Sequence, residues 1–134
     1  MKRLGWVSLV IGLVLAWAVP VMAARYSQDE AALTWLRGFQ QADGGFTNGY
    51  ADSSDLGATT EVMLAAAATG QDCSTWLSPA GNSPLDYLVT QVKQGAVTDA
   101  AGLSRTVLTA VATGQDPRTF GGKNLVQALL AAQD

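Results

Sequence analysis

The sequence predicts an all-α chain of repeated helical hairpins, and three observations predict it. Residues 55–72 and 99–116 match at a constant offset of 44, without a gap, and both copies close in Thr-Gly-Gln-Asp. Apolar residues recur at helical spacing in every long segment. Segments with one apolar stripe alternate with alanine-rich segments that are apolar almost all round. A repeat of this length is the mark of a stacked helical array rather than of a one-core domain. The chain has 134 residues, which allows at most one domain.

Residues 1–23 read as a signal peptide. Lys2 and Arg3 give a charged start, and residues 4–19 form an uncharged apolar run. Pro20 breaks the run, and Val21-Met22-Ala23 offers a cleavage site after Ala23. The alternative is a retained anchor, which needs about 20 apolar residues to span a bilayer. Either form implies export, to the cell envelope or beyond, with membrane contact only through this segment. Removing Lys2 and Arg3 leaves 6 of the 8 basic residues against 11 acidic ones, a net charge near −5. Clustered Lys and Arg are absent, which argues against a nucleic-acid partner. One cysteine, Cys73, and no histidine exclude an internal disulfide and a histidine-held metal. No cofactor is implied.

Helix 1 is expected from Ser27, where Ser27 and Glu30 form a capping box. Ala32, Leu33, Leu36 and Phe39 make its apolar face, Trp35 meets Phe39 one turn on, and both rings are core candidates. Asp43-Gly44-Gly45 is expected to end it. Residues 46–54 form a loop. Helix 2 is expected over 55–69, stopped by Gly70. Ser83 and Pro84 start helix 3 as cap and first residue, and Gly95 closes it. Helix 4, over 99–113, repeats helix 2 in register. Helix 5 is expected over 124–132. The mature chain, residues 24–134, thus reads as two hairpins plus the first helix of a third. It reads as the incomplete opening of a longer array. The far face of helix 4 would then be bare and apolar, to be covered by self-association or by further repeats.

Residues 32–46, closing in Gln41-Ala42-Asp43-Gly44-Gly45-Phe46, resemble the repeat signature of the prenyltransferase/squalene oxidase superfamily. The alanine-rich helix and its Thr-Gly-Gln-Asp ending are also similar to that family, and the likeness spans residues 27–134. The second repeat has Gln91-Val92-Lys93-Gln94-Gly95 where the signature would stand. The resemblance implies an α/α toroid, here a partial one. The family's enzymes supply no catalytic assignment: the Asp-x-Asp-Asp acid of its cyclases, the zinc ligands of its protein prenyltransferases and the thioester segment of its complement-type members have no counterpart here. The leading expectation is an exported, non-catalytic binding or scaffolding module for a small molecule such as a corrinoid, a glycan or a protein. The alternative is the N-terminal part of a terpenoid cyclase-like enzyme whose catalytic residues lie beyond Asp134.

Several residues carry more specific expectations. Glu61 and Arg105 sit 44 positions apart in the two copies. Their expected role is an ion pair between repeats, and the sharper one is to line a polar ligand pocket. Asp43, Asn48, Asp52 and Asp55 place four oxygen-bearing side chains round one loop, but without calcium-loop spacing. Turn and cap roles are favoured for them. Trp76 and Phe120, also 44 apart, follow the alanine-rich helices. They either plug the end of the helix layer or hold a sugar ring.

Overall fold

The computed structural model describes residues 28–132. The expected signal peptide and the Ser27 cap lie outside them. The chain divides into a unit that ends at Thr34 and a unit from Trp35 to Asp134. Of the first, residues 28–34 are described and are helical, with Leu33 buried. The same helix, α1 (residues 28–37), ends in the second unit. Four more helices follow: α2 (Leu56–Ala68), α3 (Pro84–Gln94), α4 (Ala100–Ala112) and α5 (Leu125–Ala131). Short 3-10 turns at Cys73–Thr75 and Phe120–Gly122 follow α2 and α4. Among the described residues there is no strand, only isolated bridges from Phe46 to Gln40 and to Asp55. None of the described helices is long and apolar enough to cross a membrane.

Side-chain caps set the helix starts. Asp55 accepts from the Ala58 amide at 2.7 Å, and Asp99 accepts from Gly102 at 2.9 Å. Asn124 accepts from Gln127 at 3.1 Å. Each satisfies an amide that has no partner within its helix. Ser83 goes further and shares a capping box with Asp86. The Ser83 hydroxyl accepts from the Asp86 amide, and the Asp86 carboxylate accepts from the Ser83 amide at 2.9 Å. The Ser83 hydroxyl also donates to that carboxylate, and these bonds hold it below the usual Asp range.

Within the second unit, α2 packs on α4, α3 on α2, and α5 on α4. Leu56 approaches Gly102 at one end of the α2–α4 contact, and Ala67 shares a groove with Ala112 and Thr113 at the other. The two helices therefore run in the same direction at the same height. Small residues on the two helices are deeply buried: Ala66 and Ala110 fully, and Thr59, Thr106 and Thr109 likewise. Two of these threonines turn their hydroxyls onto helix carbonyls, Thr59 onto Asp55 at 2.7 Å and Thr106 onto Gly102 at 2.8 Å. The Thr109 hydroxyl has no hydrogen-bond partner among the described residues. Burying such a group costs about 1–3 kcal/mol.

Two expectations for α1 need correction. The helix ends at residue 37, before Asp43-Gly44-Gly45, and residues 38–45 form a tight turn instead. Gln41 N–H donates to the Gly45 carbonyl at 2.8 Å, and Asp43 accepts from the Gly45 amide at 3.1 Å. The turn docks on the segment before α3: the Ala42 carbonyl accepts from Ser78 and from Asn82, each at 2.9 Å. These bonds compete with helix continuation and prevail. Trp35 is not a core residue either, being 65% exposed. At about 100° per residue it lies about 200° round the helix from Leu33.

Gly44 has φ +92°, and a Cβ there would overlap the Ser83 carbonyl. Gly49 has a similar φ of +83° but open space around it. Gly44→Ala is expected to cost about 2 kcal/mol or more, and Gly49→Ala about 1 kcal/mol, the backbone penalty alone. Urea denaturation followed by circular dichroism measures the difference between the two.

Candidate functional site

A cleft of about 500 Å³ opens along the N-terminal half of α2. Its floor and walls are apolar, formed by Leu36, Phe39, Phe46 and Val62, with Trp35 at the rim. Trp35 and Phe39 meet edge to face, ring centres 4.6 Å apart, as their spacing predicts. Edge-to-face contacts of this kind are favourable for aromatic pairs. Phe46 is buried because its amide donates to the Thr59 hydroxyl at 2.9 Å and its carbonyl accepts from Asp55 N–H at 2.8 Å.

Glu61 and Arg105 stand together at the polar edge of this cleft. Arg105 Nε lies 4.0 Å from Glu61 Oε1, and both side chains are more than half exposed. An ion pair so exposed contributes only about 0–1 kcal/mol to stability. It does place one negative and one positive group beside an apolar wall.

The remaining candidate residues are spread out. Asp55 borders the cleft, but its carboxylate is committed to the Ala58 amide. Asp52 is exposed in the 46–54 loop. Asp43 accepts from Ser54 Oγ and the Gly45 amide, and Asn48 accepts from the Tyr50 amide at 3.0 Å. These are turn-holding bonds. Among the described residues, no three acidic, cysteine or histidine side chains cluster as metal ligands would. Trp76 and Phe120 are both buried. Trp76 has the Arg37 guanidinium over its ring at 4.8 Å, and its carbonyl accepts from Gln40 Nε2 at 2.9 Å. A buried ring under a guanidinium offers no open face to a sugar.

The expectation of a core Trp35 hides the aromatic rim of the cleft, although the helical wheel already turns Trp35 away from Leu33. No protein-family model, curated protein or solved structure matches the chain.

Cys73 is buried, and it is a free thiol. Burial, and then the charge of Asp72, push its pKa up from 9.0. Burial also raises Tyr87, with smaller contributions from Asp43 and Asp55. Both groups are neutral in the fold and ionise more readily in the unfolded chain. Their contribution to stability is complete below the unfolded pKa and is lost as pH rises through the folded one. The urea midpoint is therefore expected to fall above about pH 9, and Cys73→Ala to flatten that fall. In the native state Cys73 should react with a thiol reagent at least about tenfold more slowly than in urea.

Proposed function

We propose that this chain is an exported, non-catalytic binding or scaffolding module. On this reading its helices form part of an α/α toroid of the prenyltransferase/squalene oxidase repeat type. The observation that carries the binding role is the cleft beside α2. An apolar concave wall with a few charged groups at one edge is the usual make-up of a recognition site. Trp35 supports this most directly. A large aromatic ring at a cleft rim, packed on Phe39 and 65% exposed, is the kind of anchor on which binding energy concentrates. Glu61 and Arg105 would orient the polar end of whatever lies on the wall. The repeat signature at 41–46 and the packing of α2 on α4 support the toroid assignment. The charged start and apolar run of residues 1–23 support export.

An environment-sensitive naphthalene sulfonate dye is expected to bind the native chain, and Trp35→Ala to weaken it about tenfold. Unchanged affinity in Trp35→Ala would move the binding site elsewhere. Export is checked on the chain recovered from outside the cytoplasm, whose first residue by mass spectrometry should be Ala24. Recovery of the uncleaved chain only in the cytoplasm would sink the export assignment.

A further inference from the structure

Of the exposed large apolar side chains, Leu108 and Val111 share one helix. They are 57% and 59% exposed and lie one turn apart on α4. Ser104 and Ala100 extend the same stripe towards the start of the helix, and both are exposed. The 44-residue offset identifies what this face is. Its equivalents on α2 are Leu56, Thr60, Leu64 and Ala67, none of which is exposed. That is the side of α2 on which α4 packs, as the Leu56–Gly102 approach and the groove between Ala67 and Ala112 show. The α4 stripe therefore repeats the surface that receives an inner helix.

The complementary surface is present on the same chain. The side of α4 that meets α2 includes Gly102 and Thr106. Their equivalents on α2 are Ala58 and Val62, and both line the cleft. The charges agree with the same arrangement. Arg105 stands at the height of Glu61 across the α2–α4 contact. A second α2 laid on the α4 stripe in the same geometry would bring its own Glu61 to the other side of Arg105. Negative and positive groups would then alternate along the array, which favours this register and disfavours a two-fold pairing of like ends.

We propose that the α4 stripe of one molecule docks along the α2 cleft of a second copy of this chain, head to tail. The proposal rests on the reading of the cleft as a binding surface and names its occupant. Ser104, Leu108 and Val111 lie against Ala58 and Val62 of the second copy, with its Trp35 closing over the edge. The two surfaces are different, so each docked copy leaves one of each open, and the contact propagates into a closed ring or an open filament.

The test is sedimentation velocity of the purified full chain over a range of concentrations, together with two surface variants. The wild-type chain is expected to associate with rising concentration. Leu108→Glu spoils the stripe and Trp35→Glu spoils the cleft, and both sites are exposed enough for the fold, checked by circular dichroism, to survive. Each variant alone should associate at least about tenfold more weakly. An equimolar mixture restores one good interface and should give a one-to-one heterodimer that grows no further. Arg105→Glu should weaken wild-type association, and the double exchange Glu61→Arg with Arg105→Glu should restore it. A wild-type chain that stays monomeric overturns the proposal, as does a mixture that does not pair. So does Trp35→Glu alone associating like wild type, since that means stripe meets stripe. Dye binding separates the two readings. A chain that binds dye in a Trp35-dependent way but stays monomeric keeps its binding cleft and loses the head-to-tail contact.

Discussion

The hydroxyl of Thr59 is the point on which the first hairpin depends. It donates to the Asp55 carbonyl and accepts the Phe46 amide, so one buried oxygen joins the start of α2 to the loop before it. Phe46 is thereby fixed as the floor of the cleft. The bridge between Phe46 and Asp55 then holds Asp55 in the extended conformation from which it caps α2. Replacing that oxygen by a methyl group would leave the Phe46 amide buried without a partner. The loss would reach the cap, the floor and the tight turn together, because they share a few residues of backbone.

From this anchor the chain builds outward by repetition with small side chains. Alanine and threonine on α2 and α4 let the helices approach closely, and few rotamers are lost on burial. Glu61 and Arg105 follow from the same repeat, since the matching register brings equivalent positions to one height. The cleft exists because Trp35, Phe39 and Phe46 wall the near side of α2 without filling it.

Much of this is legible in the residues. Asp55, Ser83, Asp99 and Asn124 mark helix starts because each is a good cap before an apolar run. Gly95 marks an end, with its left-handed φ of +75°. The end of α1 is not legible, because the hydrogen bonds that pull residues 38–45 out of the helix come from Ser78 and Asn82, far along the chain. Trp35 is misplaced for a different reason. An aromatic residue in an apolar run invites an inward assignment, and only its angle from Leu33 argues otherwise. Buried Thr59, Thr60 and Thr106 pass unnoticed because each hydroxyl donates to a carbonyl of its own helix, a solution that composition does not reveal.

The order of packing has a kinetic consequence. Among the described helices, the packed pairs α2–α3, α2–α4 and α4–α5 each join the same or adjacent repeats. Contacts confined to neighbouring repeats spare the chain its longest loop closures, whose entropic cost grows with length. The first hairpin can gather on Thr59 before the second is complete, and α4 then adds to a surface already in place. Growth by addition of this kind has no late step that waits for distant segments to meet. Unfolding should follow the reverse order, fraying from α5 inward rather than failing at a single point.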